Sequence, residues 1–480
     1  MLFNIFCIIV GLLSLSFCIF IHELGHFIAA KKRGLIADRF SIGFGPRLFG
    51  WNWRGTDFRI SLLPFGGYVS LPQLADMGRL EGGEGGESDT LPPISYTDKM
   101  IVAVMGAVFN ILLAFCLSLI LWGVGREIVK STTVDAVPAQ IVNSRGEVVP
   151  GPAFEAGILP GDTILKVDNE HIGDWMQLQN AVMTSTGRNA EGIPTTKVML
   201  RRDDTELTMT AHPVLISSED IRTLGVQPGT ELVVSMVQEN MPAFEAGMLA
   251  GDQPIKLNGE AITSSAFLSV YLQNHPGGSI DVTVIRKGEE ITLPIEPRIA
   301  PGEASPRFGF AYYYETETER VHRTPIEQLT IMANTMKMTL VALISPQSDV
   351  KVRNMSGPVG IVHGLTTMAR YGWVDLIWFL ALINVNLAIF NVLPIPVLDG
   401  GHMLFATIAK ITGRPIPRKV MEGAFTACFI LLISFALYIS FFDVKRVGQD
   451  IGIGQSVEAS PTSIQTPEIE EVTEATQHSE

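Results

Sequence analysis

Two histidines and a glutamate occur close together in an apolar stretch near the start of the chain. His22, Glu23 and His26 form an H-E-x-x-H pattern within residues 19–30. Side chains four residues apart share one face of a helix, so the two histidines can offer nitrogen ligands to a single Zn²⁺. Glu23 could then accept a proton from a zinc-bound water. Two ligands do not complete a zinc site, and ordinary helices also contain this pattern by chance.

The position of this pattern within a predicted membrane helix favours a functional role. Residues 2–21 contain no charged side chain, and at 1.5 Å per residue such a run spans about 30 Å of hydrocarbon. Lys31, Lys32 and Arg33 follow directly, which predicts a cytoplasmic end and an outside N-terminus. Because ionisable groups below a membrane surface are costly, a passive histidine pair is disfavoured there.

A carboxylate late in the chain is the predicted third ligand. A third apolar run, 373–398, is interrupted by Pro394 and Pro396 and leads directly into Asp399. The prolines break the helix, and a lone carboxylate in such a setting is costly unless a metal neutralises it. The basic loop that follows predicts the same membrane face as His26. We therefore expect His22, His26 and Asp399 to bind one zinc ion.

Composition narrows the class of protein. The chain has 480 residues, a formal charge of −14 and 47% hydrophobic residues, which fits a protein that is part membrane and part soluble. The net negative charge argues against nucleic acid as a partner. The four cysteines all lie in apolar runs, so no disulfide framework and no cysteine zinc site is predicted.

Two short strands are predicted between the first two membrane helices, at 40–46 and 58–69. Irregular backbone beside a membrane site must be covered by protein or line a wet cavity. We expect a hairpin that lies beside the site and offers a strand edge to an unwound substrate. An ordinary cytoplasmic hairpin explains the same residues equally well.

The soluble part contains an internal repeat. The segment 152–172, with its P-A-F-E-A-G and Gly-Asp elements, recurs ninety positions later at 242–262. Each copy resembles a PDZ domain, a class that receives extended peptides by strand addition. Downstream, Thr324, Pro325 and Glu327 predict a capped helix to about Ser345 that packs on the membrane region or on a PDZ-like domain.

These features predict a multi-pass α-helical membrane protein with about four transmembrane helices, a membrane-associated β-hairpin and two extracytoplasmic PDZ-like α+β domains. The expected divisions, in order, are helix 1 (1–30), hairpin and linker (31–99), helix 2 (100–125), the PDZ-like domains (126–215 and 216–300), a connecting region with an amphipathic helix (301–372), helix 3 (373–406), a cytoplasmic loop (407–422), helix 4 (423–442) and an acidic disordered tail (443–480).

Together these motifs resemble the site-2 protease family of intramembrane zinc metalloproteases. The resemblance rests on H-E-x-x-H, on G-F-G-P at 43–46, on S-G-P-V-G at 356–360, on the paired repeats and on N-V-L-P-I-P-V-L-D-G-G at 391–401. It implies zinc ligation by His22, His26 and Asp399, with Glu23 as the base. It also implies that Asn391 helps to hold substrate or the shape of the site.

The resemblance also implies partners. Members of the family cut transmembrane segments of single-span proteins already trimmed outside the membrane, and PDZ-like domains gate access or bind peptide. The chain departs from the family pattern at 105–110, where Gly-Pro usually precedes Asn110, and in the Gly/Glu-rich segment 80–98. Whether the substrate is an anti-sigma factor or a remnant signal peptide stays open. A catalytically inactive PDZ scaffold and, less favoured, a metal transporter are the alternative functions.

Overall fold

The computed structural model describes residues 2–73, 94–217, 219–262, 277–299, 306–414 and 416–450, with isolated residues between 263 and 276. Most of the predicted Gly/Glu-rich linker and almost all of the predicted acidic tail lie outside the described residues. The α-helices of the described part are α1 Leu2–Lys32, α2 Tyr96–Val124, α3 Pro152–Glu155, α4 Trp175–Thr184, α5 Pro242–Glu245, α6 Pro325–Ile344, α7 Pro358–Tyr371, α8 Trp373–Val392, α9 Asp399–Thr412 and α10 Arg418–Asp450.

The strands fall into two groups along the chain. The membrane block contains β1 Arg39–Trp53 and β2 Thr56–Ser70. The strands of the soluble block are β3 Arg126–Ile128, β4 Val134–Ala136, β5 Gln140–Val142, β6 Val148–Pro150, β7 Thr163–Val167, β8 Glu170–His171, β9 Thr196–Arg202, β10 Thr205–Ala211, β11 Val214–Ile216, β12 Ile221–Thr223, β13 Gln227–Pro228, β14 Thr230–Val237, β15 Gln253–Leu257, β16 Glu260–Ala261, β17 Ile280–Arg286, β18 Glu289–Ile295, β19 Phe310–Thr316 and β20 Glu319–Val321.

Four helices in the described part of the chain are long and apolar enough to cross a membrane, which confirms the expected number. They are Phe3–Lys32, Tyr96–Val124, Trp373–Val392 and Lys419–Gly448. The fourth helix is longer than predicted, because helical residues continue on both sides of the expected 423–442. Helices α2 and α8 pack on each other, and α2 also packs on α1.

The third membrane segment is broken where the sequence places its two prolines. Helix α8 ends at Val392 and α9 begins at Asp399, so the expected division 373–406 contains the end of one helix and the start of the next. Pro394 and Pro396 cause this break, since each lacks an N–H donor and each restricts the residue before it. The expected loop at 407–422 is correspondingly shorter, because α9 continues to Thr412 and α10 starts at Arg418.

The predicted pair of short strands is instead one sheet made from two long, bent strands. Residues 39–42 of β1 pair on one side with 67–70 and on the other with 57–60, whereas 49–53 pair with 56–60. The bends fall at Gly43, Gly45 and Gly66, whose positive φ angles suit glycine. Among the described residues, 67–70 pairs on one side only. The sheet packs on α1, where Phe40 contacts the rings of Phe20 and Phe27.

The two sequence repeats form two β-rich units with the same strand order. The first has the sheet order β10-β9-β7-β8 and the second β16-β15-β17-β18. Each sheet encloses its own apolar core. A buried aspartate of the repeated Gly-Asp element binds an arginine in each unit, Asp162 with Arg202 and Asp252 with Arg286.

Two helices connect these units to the membrane part. Helix α6 starts after Thr324, whose hydroxyl accepts the N–H of Glu327, as the sequence predicts. Its buried Met332 packs with Ala114 and Ala381 of the membrane helices. Helix α7 begins in the S-G-P-V-G segment, where the N–H groups of Gly357 and Gly360 donate to the buried carboxylate of Asp443 on α10.

Candidate metal centre

The structure brings His22, His26 and Asp399 together, although they come from opposite ends of the sequence. Their ligand atoms all lie within 4.8 Å of one another. Nε2 of His22 is 3.1 Å from Nε2 of His26, and Oδ2 of Asp399 is 3.3 Å and 3.4 Å from these two nitrogens. The three side chains are 6–13% exposed, so the cluster is shielded.

The spacing of these three atoms matches the ligand shell of zinc. Ligand atoms about 2.0–2.1 Å from a tetrahedral zinc ion lie about 3.3–3.4 Å apart. Oδ2 of Asp399 is buried and has no hydrogen-bond partner among the described residues. A carboxylate oxygen beside two imidazole nitrogens is a donor set of the kind that catalytic zinc sites use. The residues present therefore fit a zinc ion with one position open.

Helix α1 presents both histidines because they are one turn apart on a regular helix. Gly25 lies between them and allows α2 to approach, since a methyl group there would collide with the backbone of Met105. Gly106 of α2 has the same role from the other side, because a methyl group there would collide with both imidazole rings. The two glycines thus allow α2 to pack closely on the histidine face of α1.

Helix α2 also hydrogen-bonds both histidines. Nδ1 of His26 lies 2.8 Å from the carbonyl oxygen of Val102, and the amide of Asn110 lies 3.1 Å from Nδ1 of His22. Asn110 is not among the site residues expected from the sequence. Its position as the only strongly polar residue in the apolar middle of α2 was the signal that could have identified it.

The third candidate ligand owes its position to the helix break. Asp399 is the first residue of α9, so its side chain projects from the start of a new helix and not from the side of α8. Gly400 and Gly401 follow, and a methyl group at either would collide with backbone carbonyl groups of the 392–395 segment. The two glycines therefore let the start of α9 pack closely on the segment before it, which places Asp399 beside the histidines.

Glu23 faces the free edge of the β-sheet. The N–H of Val69 donates to its carboxylate, and a methyl group at Gly67 would lie 3.2 Å from its Cγ. Asn391 also reaches the cluster, with its Nδ2 3.5 Å and 3.4 Å from the two ring nitrogens of His22. Every residue that the sequence analysis assigned to the site thus lies in one place.

Comparison with known proteins gives the family. The profile of Peptidase family M50 matches residues 10–435. The chain is 29% identical over 466 residues to the "Regulator of sigma-E protease RseP" of Escherichia coli strain K12, covering 91% of this chain and 98% of that protein. The "Regulator of sigma E protease" of Haemophilus influenzae is 29% identical over 454 residues, with the same coverage.

A third relative carries the cofactor in its name. The "Putative zinc metalloprotease" of Vibrio cholerae is 28% identical over 479 residues, with 91% of this chain and 98% of that protein covered. The chain belongs to Peptidase family M50, the site-2 protease family, as the sequence motifs indicated. It is a membrane zinc metalloprotease of the site-2 type, and several of its relatives are named regulator of sigma-E protease.

Proposed function

We propose that the chain hydrolyses a peptide bond inside the transmembrane segment of a single-span membrane protein in regulated intramembrane proteolysis. His22, His26 and Asp399 would hold the zinc ion. The observation that carries this proposal is the triangle of their three ligand atoms, with sides of 3.1–3.4 Å. When bound, zinc lowers the pKa of a coordinated water to about 7 and polarises a carbonyl group.

Glu23 is the proposed proton carrier. Its buried carboxylate interacts electrostatically with His22, His26 and Asp399, and it accepts a hydrogen bond from the N–H of Val69. A carboxylate in this position can accept a proton from the attacking water and return it to the leaving amine, a role that contributes about 10²–10⁴-fold.

The free strand edge at 67–70 is the proposed substrate platform. A helical segment hides its carbonyl groups in internal hydrogen bonds, so it must unwind before hydrolysis. Residues 67–70 pair on one side only among the described residues and run beside Glu23. An extended substrate can add there as a further strand, which would hold its scissile bond at the metal centre. The Asn391 amide is in reach to position it.

The two β-rich units are the proposed PDZ-like domains. Their shared strand order, the repeated sequence and the separate cores support this assignment. We propose that they lie outside the cytoplasm and admit only substrates with a short external part. The protein would then lie in the bacterial inner membrane with both termini outside, and its site would open near the cytoplasmic face. An inactive PDZ scaffold is not favoured, because the family consists of peptidases and the catalytic residue types are all present.

The test compares Glu23→Gln with the wild type in the full-length protein. The amide cannot accept the proton, so we expect bound zinc to persist and cleavage to fall at least about 100-fold. Membrane proteomes should then show tail-trimmed single-span fragments that accumulate only with the variant. Glu127→Gln, at a glutamate that is 59% exposed on β3, is the control and should cleave normally. Wild-type cleavage by Glu23→Gln would refute the assignment.

A further inference from the structure

One face of α2 carries three residues that contact the histidine pair. Val102, Gly106 and Asn110 are four residues apart, so they lie in a row along α2, as His22 and His26 do along α1. The helices run in opposite directions at this contact, with Val102 against His26 and Asn110 against His22. Each imidazole therefore has its Nδ1 directed at α2 and its Nε2 directed at Asp399.

The hydrogen bond of His26 fixes which of its nitrogens carries the proton. A backbone carbonyl can only accept a hydrogen bond, so Nδ1 of His26 must donate to the oxygen of Val102. A neutral imidazole has one N–H, and Nε2 therefore keeps its lone pair for a metal. Partners of this kind orient histidine ligands in zinc sites in general.

His22 cannot keep its Nε2 free for a metal in the same way if the amide of Asn110 stays in its present orientation. Its Nδ2 lies 3.1 Å from Nδ1 of His22, and an amide nitrogen can only donate. Nδ1 would then have to accept, the N–H would move to Nε2, and His22 could not bind the metal through the nitrogen that faces Asp399. The Oδ1 of Asn110 meanwhile is buried and has no hydrogen-bond partner among the described residues.

Rotating the side-chain amide of Asn110 by about 180° resolves this conflict. The two ends of an amide have nearly the same shape and can exchange places. Because no described group donates to Oδ1, the exchange breaks no hydrogen bond to that atom. It places an acceptor against Nδ1 of His22. The Nδ2 of Asn391 is farther away, at 3.5 Å from Nδ1 and 3.4 Å from Nε2 of His22, so Asn110 makes the shorter contact with Nδ1.

We propose that Asn110 is a positioning residue whose side-chain oxygen accepts the Nδ1–H of His22 and so keeps Nε2 free for zinc. The proposal rests on the proposed function, because it assumes that His22 is a metal ligand. Helix α2 then supplies one acceptor to each histidine, a backbone carbonyl to His26 and a side-chain carbonyl to His22. Asn110 touches neither substrate nor metal and acts only through His22.

Two substitutions separate an acceptor from a donor at this position. Asn110→Asp keeps only acceptor atoms, and Asn110→Leu keeps the volume without either. Full-length protein in detergent is equilibrated with chelator-buffered zinc, and bound metal is counted by mass spectrometry. We expect Asn110→Leu to weaken zinc binding about 10–100-fold and Asn110→Asp to stay within about threefold of the wild type, because the acceptor is retained.

Asn384→Leu is the matched control. Asn384 is also a fully buried asparagine on a membrane helix, but it bonds Cys18 and the carbonyl of Leu380. Its loss should leave zinc affinity unchanged. Unchanged affinity in Asn110→Leu, or an equal loss in both Asn110 variants, would overturn the proposal. If wild-type protein binds no zinc, or if His22→Ala binds it equally well, the proposed function itself fails.

A second measurement needs no variant at Asn110. Nitrogen spectra of ¹⁵N-histidine protein report which ring nitrogen carries hydrogen, and the His22 signals are those that disappear in His22→Ala. In the metal-free wild type, we expect hydrogen on Nδ1 of His22. Hydrogen on Nε2 would show that the amide donates and would overturn the proposal, even if an Asn110 variant failed to fold.

Discussion

The membrane site and the repeated units both bury aspartates, but they treat them differently. Asp252 accepts two bonds from Arg286 and one from the N–H of Leu249, and Asp162 has the equivalent partners in the first unit. Asp399 faces two imidazoles and keeps Oδ2 without a hydrogen bond among the described residues. A buried carboxylate whose oxygens all accept hydrogen bonds stabilises the fold. A buried carboxylate with an oxygen that accepts none indicates a binding site.

The strongest test of this contrast removes the open carboxylate. Asp399→Ala should abolish cleavage, because a proposed zinc ligand is lost. Zinc binding should weaken by more than about 100-fold, since losing a residue that only hydrogen-bonds a ligand already costs about 10–100-fold. The unfolding temperature of the metal-free protein should change little, since this carboxylate satisfies few groups of the fold. Metal content, peptidase activity and thermal unfolding of the purified protein measure the three quantities. Full zinc occupancy in this variant would contradict the predicted ligand set.

Gly106 tests how closely the helices must approach at the site. Gly106→Ala adds a methyl group that collides with both imidazoles, so α2 must move away. We expect zinc affinity and activity to fall about 10–100-fold, as for lost outer support. Gly123→Ala, at a glycine of the same helix whose added methyl group meets nothing within 4 Å, is the control. Equal zinc affinity in the two variants would show that the contact is dispensable.

The partnered carboxylates should behave in the opposite way. Asp252→Ala leaves Arg286 without its ion pair and should lower the free energy of unfolding of the second unit by about 2–3 kcal/mol. Zinc binding should be unchanged, because the substitution lies in a different part of the molecule. Limited proteolysis together with zinc counting would separate the two effects. A loss of zinc without loss of stability would invalidate the comparison.

The smallest expected effect is a pH dependence of the repeated units. Burial alone would raise the pKa of Asp162 and of Asp252, but bonds from Arg202 or Arg286 and from a backbone N–H outweigh it, so both pKa values lie below the usual one. The stabilisation is therefore complete above about pH 4, the usual value for aspartate, and is lost as pH falls through the lowered pKa. Thermal unfolding between about pH 6 and 2 would measure it. A stability that does not fall below about pH 4 would contradict it.

The grouping of the candidate ligands could be predicted because it depends on residue type and spacing. His22 and His26 are one helical turn apart, and Asp399 is a carboxylate placed after two prolines in an apolar run, so the expected ligand set follows from helix geometry and from the cost of a buried charge. The number of membrane helices and the repeat could also be predicted, since membrane helices stand out as long apolar runs and the repeat as a recurring sequence.

The contacts between elements could not be predicted in the same way. The bent sheet depends on long-range pairing, and nothing in 39–42 indicates that it will pair on both sides. Asn110 is polar in an apolar helix, but only the approach at Gly25 and Gly106 shows which histidine it reaches. The role of Asp443 likewise depends on distant residues, because it accepts the N–H groups of Gly357 and Gly360, more than eighty positions earlier in the chain.

The distance along the chain between His26 and Asp399 has a consequence for biosynthesis. A ribosome delivers α1 to the membrane long before it translates α9, so the proposed ligand set would be incomplete while the rest of the protein is made. On that ligand set, the peptidase would be inactive throughout its own insertion. Neighbouring nascent proteins are exposed to it only once nearly the whole membrane domain is in place.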